Sequence, residues 1–74
     1  MRAYVLVRLH RGEEDLVNYM KGKEHVERAE IVYGEYDVII IVNVKNIHEL
    51  SRLVLEDIRK RFDVDRTSTL IVTD

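Results

Sequence analysis

The sequence predicts an α+β domain of the ferredoxin-like βαββαβ class, with a four-stranded antiparallel sheet and two helices on one face. Its length of 74 residues suits a single domain, and we expect residues 1–74 to form it. Apolar residues alternate in four short runs, as in strands, and recur every three or four positions in two others, as in helices. The runs follow the order strand, helix, strand, strand, helix, strand, and their parallel crossovers are expected to be right-handed.

The first half of the chain is predicted to contain a strand, a helix and a second strand. Alternating apolar side chains place the first strand at Ala3–Leu9. Three acidic residues then suit a helix N-terminus, and Leu16 and Met20, four positions apart, mark the buried side of a short helix. Gly22 is the expected end of that helix. The second strand is predicted at Ala29–Tyr33.

The second half begins with a tight turn in which Gly34 needs a positive φ. The third strand is predicted from Asp37 to Val44. Asn46 is the expected N-cap of the second helix, with a glutamate three residues on as its capping-box partner. An apolar stripe carries this helix to about Phe62, and the last strand is predicted at about Arg66–Thr73.

The third strand is apolar on both faces, so both faces of the sheet need a cover. The helices cover one face, and sorting by alternation assigns Leu70 and Val72 to it. The other face would expose a contiguous apolar patch, which marks an interface. A chain this short also needs oligomerisation, because it has no cysteine for disulfides. We therefore predict a homodimer formed by sheet packing. The predicted interface residues are Tyr4, Leu6, Ile39, Ile41 and Ile71, with Thr67, Thr69 and Asn43 on the same face.

Composition excludes several classes of function. Charged residues make up 35% of the chain but the net charge is only −2, whereas nucleic-acid binders usually carry a basic excess, so we expect no direct nucleic-acid contact. The sequence has no apolar run near the roughly 18 residues of a membrane span and no signal-peptide pattern, which predicts a cytoplasmic protein without membrane contact. The abundance of charges indicates a thermophilic source.

No chemistry-bearing residues are spaced like a catalytic or metal site. His10, His25 and His48 lack metal-ligand spacing, and no base stands beside a serine or threonine, so we predict no metal, no cofactor and no enzyme. The turn offers a different chemistry, because exposed backbone amides and the Asp37 carboxylate can hold the two charges of an amino acid. In the structural alternative, Asp37 only hydrogen-bonds backbone amides of the turn.

Residues 26–44, V-E-R-A-E-I-V-Y-G-E-Y-D-V-I-I-I-V-N-V, and the C-terminal R-T-S-T-L-I-V resemble the RAM (regulation of amino acid metabolism) domain of Lrp/AsnC-type transcription regulators. The shared pattern is a Gly-x-x-Asp turn between apolar strands, an amphipathic helix and a Thr-rich last strand. The resemblance implies a dimeric α+β barrel, octamer or decamer rings of dimers, and amino-acid effectors bound between dimers. The ligand-binding residues that it implies are Tyr33, Gly34, Glu35, Tyr36 and Asp37, with Thr67, Ser68 and Thr69 of the same or a neighbouring subunit.

Typical members of that family begin with a helix-turn-helix domain, which this sequence lacks. We therefore expect a stand-alone effector-binding module that acts in transcriptional regulation and joins mixed assemblies with full-length regulators. Two alternatives stay open. One is a ligand-free structural oligomerisation module. The other is a small dimeric α+β barrel enzyme holding its ligand between sheet and helices, with a polar group from Tyr4, His10, Asn43 or Arg8.

Overall fold

The computed structural model describes residues 1–73 and confirms the predicted fold class and element order. The elements are β1 Arg2–Leu9, α1 Glu13–Lys21, β2 Val26–Ile31, β3 Val38–Asn43, α2 Ile47–Arg52 continued by a π-helical segment Leu53–Ile58, and β4 Val64–Ile71. The strands form one antiparallel sheet in the order β2-β3-β1-β4. In this part of the chain β2 and β4 are edge strands, so one chain alone is not a closed barrel.

The core lies between the sheet and the two helices. Alternation buries one face of the central strands, including Val5 and Val7 of β1 and Ile40 of β3. The helices pack their apolar stripes on this face, as predicted. Within residues 1–73, neither helix is long and apolar enough to cross a membrane. The buried apolar residues of the helical elements are Leu16, Val17, Met20, Leu50, Leu53, Val54 and Ile58.

The two edge strands begin earlier than predicted. β2 starts at Val26, and its pairing with β3 shifts register between Val26 and Arg28. A bulge of this kind interrupts the alternation of apolar and polar residues, and an edge strand tolerates exposed charges. The first half of β2 therefore shows no strand pattern in the sequence. β4 starts at Val64 and ends at Ile71, two residues before the predicted end.

The second helix begins as predicted but changes geometry halfway. Asn46 Oδ1 accepts a hydrogen bond from the Glu49 backbone N–H at 2.9 Å, which confirms the N-cap. The Glu49 carboxylate accepts from the backbone N–H of Lys45 at 2.7 Å, one residue before its expected capping-box partner. The π-helical segment then ends at Ile58. Phe62, predicted near the helix end, lies in the following loop and is 85% exposed.

A buried aspartate, Asp63, lies in the loop before β4, at the end of the sheet where β1 finishes. Asp63, 6% exposed, accepts hydrogen bonds from Arg61 Nε at 3.1 Å and Nη2 at 2.9 Å. Its backbone oxygen accepts from the N–H of His10 at 2.9 Å. The Arg61 guanidinium lowers the pKa of the Asp63 carboxyl, mainly through these hydrogen bonds. The ion pair stabilises the loop before β4, and the backbone hydrogen bond to His10 ties this loop to the loop before α1.

Candidate ligand-binding site at the turn between β2 and β3

The turn between β2 and β3 is held in place by backbone hydrogen bonds. The N–H of Val32 donates to the Asp37 carbonyl at 2.8 Å and closes the turn. The N–H of Asp37 donates to the Val7 carbonyl at 2.9 Å and pins the turn to β1. Gly34 has φ +142°, which confirms that this position needs a glycine. Tyr33 is fully exposed beside it.

Within residues 1–73 the Asp37 carboxylate accepts no hydrogen bond from an amide of the turn, so the structural alternative is wrong in its partner. Asp37 Oδ2 accepts a hydrogen bond from the backbone N–H of Leu9 at 2.8 Å, which ties the turn to the end of β1. Its Oδ1 forms no hydrogen bond with any residue in 1–73. The half-buried carboxylate therefore anchors the turn with one oxygen and keeps the other for a second partner.

Arg8, which the sequence analysis considered only as a polar group of an enzyme, lies at the turn. Its Nη1 donates to the carbonyls of Glu35 at 2.9 Å and Gly34 at 3.4 Å. Arg66 of β4 is its direct partner in the antiparallel register, and the Arg66 guanidinium lies 5.6 Å from the centroid of the Tyr36 ring. The only available signal was the alternation of β1, which puts Arg8 on the same face as Leu6.

The structure separates the three predicted hydroxyl groups between the two faces of the sheet. Thr67 pairs with Val7 and Thr69 with Val5, so both lie on the helix side, and their predicted placement on the opposite face is wrong. Ser68 pairs with Leu6 on the face without helices. None of the three hydroxyls hydrogen-bonds to the turn within residues 1–73. Of these three residues, Ser68 alone lies on the same face of the sheet as Arg8 within one chain.

The face of the sheet without helices, here called the open face, carries most of the predicted interface. Tyr4 pairs with Ile41 and Leu6 with Ile39, and all four side chains remain partly exposed. We expected Ile71 among them, but this placement is wrong. The face on which each β4 side chain lies is set by the residue of β1 with which it pairs. That pairing shifts register between Arg8 and Leu9.

The same register reverses three assignments near the end of β4. Ile71 pairs with Ala3 and therefore lies on the helix side. Leu70, predicted on the helix side, pairs with Tyr4 on the open face and is 52% exposed. Alternation puts Val72, which donates its N–H to the Arg2 carbonyl at 2.9 Å, on the same face as Leu70. The apolar part of the open face thus contains Leu70 in place of Ile71.

Two cavities lie away from the turn. A polar cleft of about 390 Å³ separates α2 from the loop after α1. Within it Lys23 pairs with Asp57 at 3.8 Å, and His25 Nε2 lies 3.4 Å from the Glu49 carboxylate. An apolar groove of about 320 Å³ separates the second helix from β4. Neither is lined by the residues considered for an enzyme, Tyr4, His10, Asn43 and Arg8. In residues 1–73, no group of three or more His, Asp or Glu side chains is arranged to hold a metal ion.

Comparison with known proteins agrees with this architecture. Residues 2–74 match the family described as "Lrp/AsnC ligand binding domain". No curated protein gives a significant match. The crystal structure of FFRP-DM1 superimposes with a TM-score of 0.89 at 30% identity, and the match covers 97% of each chain. TTHA0845 from Thermus thermophilus gives a TM-score of 0.89 at 31% identity, covering 99% of this chain and 92% of that one.

A more distant neighbour was solved with a ligand. The transcriptional regulator NMB0573 from Neisseria meningitidis, in an L-Met complex, gives a TM-score of 0.87 at 17% identity. The match covers 99% of this chain and 49% of that one, and at this identity it shows a shared fold alone. The match to the family model spans residues 2–74 and assigns the chain to a family. The chain belongs to the family of Lrp/AsnC ligand-binding domains.

Proposed function

We propose that this protein is an amino-acid-binding regulatory module that assembles through its open face and acts in transcriptional regulation. The observation that carries the ligand half is the turn between β2 and β3. The turn is tied to β1 through the backbone and the side chain of Asp37, yet it keeps polar groups without a partner in the described chain. The amino acid bound by NMB0573, which shares the fold, supports the same ligand class here.

The polar groups at the turn match the two charged groups of an amino acid. The Oδ1 of Asp37 is an acceptor for the ligand ammonium. The backbone N–H groups of Gly34, Glu35 and Tyr36 donate no hydrogen bond within residues 1–73 and are donors for the carboxylate. Because hydrogen bonds hold the turn before any ligand arrives, little ordering cost opposes binding.

The open face supports the assembly half of the proposal. Its apolar side chains are partly exposed in one chain, and a second copy packed on this face would bury them from both sides. Fully burying one such side chain stabilises by roughly 1.5–3 kcal/mol. Dimers formed in this way would place the turns where neighbouring dimers meet in octamer or decamer rings. The same self-complementary surface would accept full-length regulators of the family in mixed assemblies. The apolar residues of the open face are Tyr4, Leu6, Ile39, Ile41 and Leu70.

Isothermal titration calorimetry against each of the twenty amino acids at millimolar concentration tests the ligand half. We expect saturable heat for at least one of them. Asp37→Asn should weaken that binding about tenfold, because a charge-assisted hydrogen bond to the ammonium is lost. Asp65→Asn is the matched control, because Asp65 is an exposed carboxylate that forms no ion pair in residues 1–73. An absence of heat for all twenty amino acids contradicts amino-acid binding.

A further inference from the structure

Two arginines converge on the turn between β2 and β3 from neighbouring strands. Arg8 of β1 and Arg66 of β4 are direct antiparallel partners, so their Cβ atoms start on the same face roughly 5 Å apart. Arg8 then reaches the carbonyls of Gly34 and Glu35, and Arg66 lies over the ring of Tyr36. Between them, the two guanidinium groups contact three consecutive residues of one turn.

This pair of arginines lacks an acidic partner. Neither guanidinium forms an ion pair with a carboxylate in residues 1–73, whereas Arg2, Arg28, Arg52 and Arg61 each do. Like charges placed directly opposite one another destabilise a sheet. An anion bound between the two guanidinium groups would remove that repulsion and satisfy donors that the protein leaves free.

Both arginines keep free hydrogen-bond donors. Arg8 makes its two hydrogen bonds through Nη1 alone, which leaves Nε and Nη2 available. Arg66 makes no hydrogen bond in residues 1–73, and its guanidinium lies over the Tyr36 ring. The planar fork of donors on a guanidinium matches the two oxygens of a carboxylate.

We propose that Arg8 and Arg66 bind a second carboxylate of the effector, so that the preferred ligand is an acidic amino acid with a carboxylate side chain. This inference rests on the proposed function, in which Asp37 and the turn amides hold the amino-acid group. The arginine pair adds a positive subsite beside it, at the end of the open face next to the turn and beyond the apolar residues proposed to contact a second copy. It favours L-glutamate or L-aspartate over the corresponding amides and disfavours basic amino acids.

Calorimetry with L-glutamate, L-glutamine, L-aspartate and L-asparagine tests the proposal directly. We expect each acid to bind roughly ten to a hundred times more tightly than its amide, because the difference is one charge-assisted contact. Arg66→Gln should abolish this preference. Arg66 is chosen because Arg8 also holds the turn carbonyls. Arg52→Gln, a change at an exposed arginine on α2, should leave the preference unchanged.

The outcomes separate this inference from the proposed function. If an uncharged or basic amino acid binds more tightly than both acids, the inference is wrong and amino-acid binding stands. Acid binding that is unaffected by Arg66→Gln also overturns it, and a simultaneous change in assembly mass would make Arg66 an intersubunit contact. If no amino acid binds, calorimetry with glutarate, a dicarboxylate without an ammonium group, tests the arginine subsite separately. Glutarate binding that Arg66→Gln abolishes supports the arginine subsite alone, and no glutarate binding overturns both.

Discussion

Substitution of Asp37 separates its structural contribution from its charge. The Asp37 carboxylate accepts the Leu9 N–H at 2.8 Å, and Leu9 is 7% exposed, so water replaces this acceptor poorly. Removing the acceptor in Asp37→Ala costs about 2 kcal/mol, the middle of the range for hydrogen bonds to charged groups. In a domain of this size that lowers Tm by about 8–16 °C. Asp37→Asn keeps an oxygen acceptor and should cost less than about 1 kcal/mol.

Urea unfolding of the two variants and the wild type, followed by circular dichroism, measures these differences. All three must be compared at one protein concentration, because assembly makes apparent stability depend on concentration. An alanine variant within about 0.5 kcal/mol of wild type would show that the carboxylate does not anchor the turn. An asparagine variant as unstable as the alanine variant would show that charge, rather than an acceptor, holds Leu9.

Two further predictions concern stability. The lowered pKa of Asp63 means that its ion pair with Arg61 stabilises the fold above the ordinary carboxyl pKa, and that this contribution is lost as pH falls through the lowered value. Asp63→Asn should therefore lower the free energy of unfolding by about 2 kcal/mol at neutral pH. It should also make that free energy less sensitive to acid, as measured by urea unfolding across a range of pH. A pH profile identical to that of the wild type would refute this. Gly34→Ala should destabilise by about 1–3 kcal/mol through backbone strain alone, because a Cβ there meets no atom within 4 Å. Gly22→Ala, at φ −90°, is the control and should be neutral or stabilising in the same thermal melts.

The fold was predictable because the apolar periodicity and the helix-capping residues indicate the same elements along most of the chain. The alternation of β1, the acidic start of α1 and the N-cap at Asn46 are local signals, and each corresponds to its element in the structure. The π-helical segment was not predictable, because Leu53, Val54 and Ile58 bury an apolar side in either helical geometry.

The side-chain directions in β4 were not predictable from its own residues. Thr67 and Thr69 alternate with Ser68 and Leu70, and Ile71 follows, so polarity marks neither face clearly. The pairing with β1 decides the directions, and the shift between Arg8 and Leu9 that precedes it leaves no local trace.

The candidate site was predictable only where it is local. The turn from Gly34 to Asp37 carries its own signal, since a glycine and an aspartate flank it. The anchoring of Asp37 by Leu9 and the meeting of Arg8 with Arg66 join residues far apart in the sequence. Such contacts arise from the sheet register, which periodicity does not specify between strands that are not consecutive in the sequence.

The most direct test of the central claim is the mass of the protein in solution by light scattering, with and without an amino-acid mixture. We expect twice the mass of one chain, or a multiple of that dimer mass, because the open face is buried against a second copy. We also expect this mass to change when the effector is present. The mass of a single chain in both conditions would contradict assembly through the open face and, with it, a ligand site shared between dimers.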